Sequence, residues 1–459
     1  MSIKAGSFMK DSLCCSANLL RTVLLGLLLN LVGGGCVEIS GVEGGDDRPF
    51  EVWLIDQSDT NGKNFGGTLY IYDGEDVSGD AVTGIAARER IDLSGAVATM
   101  CNASTGANPV RPHMLLFNRA HTHAILSFVA SGHVVVFDAA SRSPLACLRT
   151  TQAATGRQAH AAFPAPDGSF IVVANQNGKR LERIDTDFGA NTFTHNLQAT
   201  LDLATCTTPT GAPCQSGTLR PDNAPICPIV DGNSRYVFVT LRGGGMFVVD
   251  ARKTPMEIVA EYDMATVKGN GCGGAQVGDH MFINSGGRPG ALPHLNMYGF
   301  DVYRFPTDAF AGTSPNRPEP AHVFSSPGEH DSHGMVATRD GRHIWVMDRH
   351  ANLAEVISTA RATRVNTVSL AGPLSSDPAP DLIDVSPAGD RMFFALRGPT
   401  PLSGDPHIAT GSTPGLGIIE VDQDGKNGRL LAILRVTNVD AGGVGRADAH
   451  AVRVRVKER

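Results

Sequence analysis

Histidine and aspartate recur at equivalent places in segments of similar sequence. The runs HAAFPAPDGSFIVVAN, HGMVATRDGRHIWVMD and DLIDVSPAGDRMFFAL superimpose without gaps, and they begin at His160, His333 and Asp381. HMLLFNRAHTHAILSF from His113 and the terminal HAVRV from His450 belong to the same set. Imidazole and carboxylate groups that converge in space are typical ligands of transition metals. The pattern therefore predicts a candidate copper or zinc site formed by His113, His160, His333, Asp381 and His450.

Each repeated segment has the signature of a β-hairpin. A β-rich run is followed by a tight turn of the Pro, Asp and Gly type, and then by a second β-branched or aromatic run. A third run follows and often ends in Asp, as in VVVFD at Asp138 and MFVVD at Asp250. A fourth run, such as LACLRT, closes the unit. Four antiparallel strands per unit predict one blade of a β-propeller.

The two ends of the chain determine how many blades there are. FEVWLID and GTLYIYD, between Phe50 and Asp73, begin a unit that lacks its first strand. DAHAVRVRVKER at the carboxyl terminus is a first strand without successors. Joining these halves completes one blade and removes exposed sheet edges. The prediction is an all-β, seven-bladed β-propeller over residues 50–459, with the first blade closed by the C-terminal strand.

In a propeller the first strand of every blade lines the central channel, so equivalent residues there form a ring. We expect His333, Asp381, His450, His113 and His160 to be consecutive in it, with Ile226 and a position near Gly271 completing the circle. A structural ring, in which the imidazoles bond neighbouring backbone and seal the channel, is the alternative to a metal site. His330 could add an outer ligand, although an exposed loop histidine needs no such role. No G-x-S-x-G elbow or Cys/His nucleophile pattern appears, so no catalytic residue is assigned.

The amino-terminal residues are typical of an export signal. Lys4, Lys10 and Arg21 precede an apolar run from Thr22 to Val32, and three glycines stand before Cys36. This arrangement resembles a bacterial lipoprotein cleavage site, with Gly33 where an aliphatic residue is usual. We expect a signal peptide over residues 1–35, a lipid-anchored Cys36 and a flexible tether over residues 36–49. Secretion with release of the soluble protein is the alternative.

Charge and cysteine content narrow the partners and the compartment. The net charge of -7 and the pI near 6.1 argue against a nucleic-acid partner, because no basic stripe is present to neutralise phosphates. Beyond Cys36 six cysteines remain, and an even number in an oxidising compartment favours disulfides. We expect Cys206 to pair with Cys214 in a Thr/Pro/Gly-rich insertion. Thiolate ligation of a metal is the alternative, but no C-x-x-C spacing supports it.

The pattern HG, PDG and V-A-N, followed by a V-x-V-x-D strand, resembles the propeller repeat of bacterial surface proteins that carry Tyr-Val-Thr-Asn motifs. That superfamily is similar in fold to lactonase-like propellers and to the propeller domain of nitrous oxide reductase, and the resemblance covers about residues 50–459. It implies the fold but selects no single function. The reductase propeller is similar in having channel histidines that hold copper. Since the second, cupredoxin domain is absent, the same reaction is not implied.

Three functions follow from these observations. The leading interpretation is an exported, lipid-anchored binding module with a structural ring and an unknown protein or small-molecule ligand at the channel face. The first alternative is a copper- or zinc-binding propeller, redox-active or not, that uses the His/Asp ring. The second is a lactonase-like hydrolase at the channel mouth. We expect a monomer in the periplasm or at the cell surface that touches membrane only through its anchor.

Overall fold

The computed structural model describes residues 46–79, 82–286, 300–310, 317–328, 330–400, 410–422 and 424–457. The strands form seven four-stranded antiparallel sheets, which are the blades of a β-propeller. In six blades the four strands are consecutive in the chain, and in the first blade the last strand of the chain takes the innermost place. The prediction of seven blades with a shared first blade is confirmed.

The first four blades, A to D, comprise these strands: in A, β1 (Phe50–Asp56), β2 (Thr68–Asp73), β3 (Glu89–Asp92) and β28 (Ala449–Val456); in B, β4 (Pro112–Phe117), β5 (His123–Phe128), β6 (His133–Asp138) and β7 (Pro144–Arg149); in C, β8 (Ala159–Pro164), β9 (Phe170–Asn175), β10 (Arg180–Asp187) and β11 (Thr192–Asp202); in D, β12 (Pro225–Val230), β13 (Tyr236–Leu241), β14 (Met246–Asp250) and β15 (Glu257–Tyr262).

The remaining blades, E to G, comprise: in E, β16 (Gly274–Val277), β17 (His280–Ser285), β18 (Phe300–Pro306) and β19 (Ala321–Ser326); in F, β20 (Ser332–Ala337), β21 (His343–Asp348), β22 (Leu353–Ser358) and β23 (Thr363–Ser369); in G, β24 (Pro380–Val385), β25 (Arg391–Leu396), β26 (Gly415–Val421) and β27 (Gly428–Arg435). Gly271 lies three residues before β16, so the inner strand of blade E begins later than the repeat suggested.

The hairpin turns explain why the repeated segments fold alike. Between β8 and β9, Gly168 has a φ of 75°, which glycine adopts without steric cost. The Asp167 carboxylate accepts a hydrogen bond of 3.0 Å from the Ser169 amide in the same turn. Gly341, between β20 and β21, has a φ of 67° at the equivalent place. Turn chemistry and strand sequence therefore agree in these two blades, whereas His121 and Ser234 adopt the positive φ at the equivalent turns of blades B and D.

Two short helices accompany the sheets. Helix α1 spans Gly74–Ser78, and helix α2 spans Ala96–Thr105 between blades A and B. Within the described ranges neither helix is long and apolar enough to cross a membrane. Disulfides join Cys101 of α2 to Cys147 of β7, Cys206 to Cys214, and Cys227 to Cys272. The Cys206–Cys214 bridge is the pair that sequence spacing favoured.

Pairing of β28 with β1 closes the ring. The register runs from Phe50 opposite Val456 to Asp56 opposite Ala449. Val452 and Val454 of β28 are buried in one apolar cluster with Leu54 of blade A and Ile418 of blade G. The C-terminal strand therefore supplies both backbone hydrogen bonds within blade A and apolar contacts to blade G.

Removal of residues 447–459 tests this closure. The deletion exposes the edge of β1 and uncovers the apolar cluster, so we expect insoluble protein or a loss of more than about 10 °C in melting temperature, because several buried side chains lose their packing. Removal of residues 458–459 alone is the control and should leave the melting temperature unchanged. A 447–459 deletion as stable as the parent in thermal unfolding would contradict the shared blade.

Candidate functional site

The ring residues lie at a distinctive place in their strands. His113, His160, Ile226, His333, Asp381 and His450 are each the second residue of an inner strand. At these places the pairing register with the neighbouring strand shifts, for example between Pro112 and Met114 in blade B and between Pro380 and Ile383 in blade G. A β-bulge re-aims the side chain of the extra residue. Because of these bulges, the six side chains do not follow the regular alternation of side chains along the strand.

His333, Asp381 and His450 form the part of the ring that could hold a metal ion. All three are buried, and one ligand atom from each lies within 4.8 Å of the others. His333 Nδ1 donates a hydrogen bond of 2.5 Å to Asp381 Oδ1, so Nε2 is the His333 nitrogen that could bind a metal. His450 Nε2 is 3.8 Å from Asp381 Oδ2. This trio joins blades F, G and A at the channel.

The next two histidines continue the row. The His113 ring stacks on the His450 ring with centroids 3.7 Å apart, and the His160 ring meets His113 edge-on at 4.7 Å. His160 also lies beside Cys227 and Cys272. Those cysteines are joined in a disulfide and offer no thiolate to a metal. The sequence-predicted residues are therefore neighbours, but only His333, Asp381 and His450 make a compact ligand set.

Hydrogen bonds determine which ring nitrogens carry a proton. Gln57 Nε2 lies 2.7 Å from Asp448 Oδ2, and since a carboxylate accepts, this nitrogen donates. Gln57 Oε1 therefore faces His113 Nδ1 at 3.2 Å, so Nδ1 donates to it. His450 Nδ1 donates to the His113 carbonyl at 2.9 Å. In neutral rings the lone pairs of His113 and His450 are consequently on Nε2.

Both Nε2 atoms are buried. Among the described residues, neither His113 Nε2 nor His450 Nε2 has a hydrogen-bond partner. Burial, first of all, lowers the pKa of each ring well below its usual value, and neighbouring imidazoles add to the shift. For His450 the Asp381 carboxylate opposes that shift. Neutral imidazole is the form in which histidine binds metals.

A network of buried charges surrounds Asp381. Its Oδ2 accepts from Arg349 Nη1 at 3.2 Å and from Arg397 Nη1 at 3.0 Å. Arg397 also forms a bidentate pair with Asp448 at 2.7 and 3.0 Å, and Arg349 Nη2 bonds Asp331 at 2.7 Å. Burial alone would raise the pKa of Asp381, but Arg349, His450 and His333 hold it well below its usual value.

Apart from Asp381, the residues of this network were not predicted from the sequence. Arg349 and Arg397 each come one residue after the second strand of their blade, as Gln57 does after β1. The repeat register that identified the ring could have identified this position as well. Asp331 and Asp448 each lie two residues before a ring histidine, so the same alignment could have identified them.

Replacement of Arg397 by methionine tests how much the buried charge network contributes to the free energy of unfolding. The change leaves Asp381 and Asp448 buried with one cation fewer, so we expect a loss of about 3–5 kcal/mol in unfolding free energy. Arg429→Met in the same blade is the matched control, because its pair with Glu420 is exposed and should contribute less than about 1 kcal/mol. Denaturant unfolding measures both. Equal, small effects would contradict a structural role for the buried charges.

Comparisons with known proteins agree on the fold. No protein-family model matches the chain, and no curated protein matches its sequence. The periplasmic gluconolactonase of Pseudomonas aeruginosa is 14% identical, with 89% of this chain and 100% of that chain covered and a TM-score of 0.53. A Lactobacillus plantarum protein is 12% identical, with 88% and 99% covered and a TM-score of 0.54. A putative 6-phosphogluconolactonase of Bacteroides fragilis is 13% identical, with 89% and 98% covered and a TM-score of 0.50. These likenesses show a shared β-propeller fold.

Proposed function

We propose that this protein is an exported metal-binding propeller in which His333, Asp381 and His450 bind one copper or zinc ion. The observation that carries the proposal is the position of His450 Nε2. This lone-pair nitrogen is buried and faces the Asp381 carboxylate at 3.8 Å. Among the described residues no group donates a hydrogen bond to it, so its lone pair is available to a cation that the neighbouring carboxylate would also attract.

The distance between His450 Nε2 and the Asp381 carboxylate is compatible with both groups binding one metal ion. Zinc takes imidazole nitrogen and carboxylate oxygen at about 2.0–2.2 Å, so two ligands of one ion lie at most about 4.2 Å apart. The His450–Asp381 separation falls inside that span. The hydrogen bond from His450 Nδ1 to the His113 carbonyl orients the ring in the way that second-shell partners orient ligating histidines.

The local charge is compatible with a cation. Arg349 and Arg397 both bond Asp381 and oppose a positive ion there. However, among the described residues the carboxylates of Asp331, Asp381 and Asp448 outnumber the two guanidiniums by one. The network is therefore net negative before an ion binds, which favours a cation. His113, stacked on His450, offers a further buried imidazole beside the site.

Export is the second part of the proposal. Three disulfides are typical of proteins that fold in an oxidising compartment. Cys36, the proposed lipid-attachment site, lies outside the described residues. Cys36→Ser should abolish both globomycin-sensitive processing and partition into the membrane fraction. Soluble release of the unmodified protein would contradict the anchor while leaving the metal proposal intact.

Metal analysis of protein expressed in the periplasm tests the binding site. Without affinity metal or chelator during purification, we expect about one equivalent of copper or zinc by elemental analysis. His450→Gln should lower affinity at least 100-fold, because it removes the central imidazole. A titration of the metal-free protein with each ion measures this affinity.

His133→Gln is the matched control for that experiment. His133 is as buried as His450, and burial, together with Arg149 and Arg157, lowers its pKa to about 3. Both of its ring nitrogens, however, bond hydroxyl groups, those of Thr105 and Ser131. The control variant should retain one equivalent of metal. If the parent binds neither ion at micromolar concentration, or His450→Gln binds unchanged, the ring is structural and the interaction-module interpretation stands.

A further inference from the structure

A second polar cluster lies where blade E passes into blade F. Ser326 ends β19, His330 lies in the loop that follows, and Asp348 ends β21. Ser326 Oγ is 3.0 Å from His330 Nε2, and His330 Nδ1 is 2.5 Å from Asp348 Oδ2. A hydroxyl on one ring nitrogen and a carboxylate on the other is the connectivity of a nucleophile, a base and the group that orients the base.

Hydrogen bonds from backbone amides orient Asp348, and this determines which His330 nitrogen carries the proton. Asp348 is buried, and its Oδ1 accepts hydrogen bonds from the amides of Asp331, His350 and Ala351 at 3.0–3.1 Å. Its Oδ2 is directed to His330. Because a carboxylate accepts, His330 Nδ1 carries the proton and Nε2 presents a lone pair to the Ser326 hydroxyl. The hydrogen bond that His330 Nδ1 donates to Asp348 is also the main cause that raises the pKa of His330, which makes the ring a stronger base.

The cluster is reachable from solvent, unlike the channel cluster. The His330 side chain is 16% exposed and Ser326 is half-buried, whereas Asp348 is fully buried. Gly328, between them in the loop, has a φ of 116°, and a side-chain carbon there would come within 3.9 Å of His330 Nε2. Glycine adopts this φ without steric cost and so allows the turn of the chain.

Apolar rings adjoin the cluster on one side. The Phe300 ring lies 6.3 Å from the His330 ring, and Phe324 meets Phe300 edge-on at 5.2 Å. Phe324 is half-buried and so contributes accessible apolar surface. The Arg364 guanidinium lies over the Phe324 ring, 5.1 Å from its centroid, so the surface beside the cluster is apolar with a cation at its edge.

We propose that Ser326, His330 and Asp348 form a catalytic site that hydrolyses carboxylic esters. Ser326 Oγ bonds to the carbonyl carbon as its proton passes to His330 Nε2. The bond between that carbon and the leaving oxygen then breaks, and His330 gives its proton to the leaving alkoxide. Water, deprotonated by His330, attacks the acyl-serine, and the returning proton restores Ser326 and releases the acid. Asp348 is a positioning residue, which holds the His330 tautomer.

Covalent labelling of the full chain with a fluorophosphonate probe tests the nucleophile. We expect one adduct by intact mass, located at Ser326 by peptide mapping, and none in Ser326→Ala. Ser325→Ala is the matched control, because this neighbour on the same strand is exposed and, within the described residues, forms no hydrogen bond with His330 or Asp348. It should label at the parental rate. An unlabelled parent, or an adduct at another residue, would overturn the proposal.

Two further variants test the base and its orientation. His330→Ala should slow labelling and hydrolysis of p-nitrophenyl acetate by about 10²–10⁴-fold, the range expected for loss of a general base. Asp348→Asn should slow both and transfer the ring proton to Nε2, which ¹⁵N spectra of the histidine report even if stability falls. Unchanged rates in His330→Ala would refute the triad. Labelling should persist in EDTA, so failure here and failure of the metal proposal are distinguishable.

Discussion

The pairing of β28 with β1 is the interaction on which the rest of the structure depends. It brings a strand from the far end of the chain into blade A and with it Asp448 and His450. Without β28, Arg397 loses its bidentate partner and His450 leaves the channel cluster. Closure of the sheet and assembly of the buried polar centre are therefore one event, so the channel cluster exists only in the closed ring.

Different interactions join neighbouring blades on the two sides of the channel. From blade F to blade A, buried charges link neighbouring blades: Arg349 of blade F reaches Asp381 of blade G, and Arg397 of blade G reaches Asp448 of blade A. Around blade D, apolar Ile226 and the Cys227–Cys272 bridge occupy the channel side. Buried ion pairs contribute little net stability compared with apolar packing. The polar side thus costs desolvation that an apolar channel would not require.

Both proposed sites use the same end of blade F. His330 and Asp348 belong to the Ser326 cluster, while Asp331 and Arg349, the next residue in each case, belong to the channel network. Successive side chains of an extended chain point to opposite sides, so one pair of backbone segments can serve two clusters. The cluster at Ser326 is open to solvent, whereas the channel cluster is closed. The two proposals therefore concern separate chemistry at adjacent places.

The sequence by itself determined the number of blades, the closure by the C-terminal strand and the equivalence of the ring positions, because hairpin turns and strand periodicity are local signals that repeat. It placed His160 in the same predicted ligand set as His333, yet the structure puts His160 beside a disulfide. Only the tertiary structure decided which ring members meet, that Arg349 and Arg397 bond Asp381, and that Ser326 and His330 meet Asp348 from another strand. Those outcomes depend on bulges, side-chain rotamers and the packing of one blade on the next, and these arise from contacts between residues far apart in the chain.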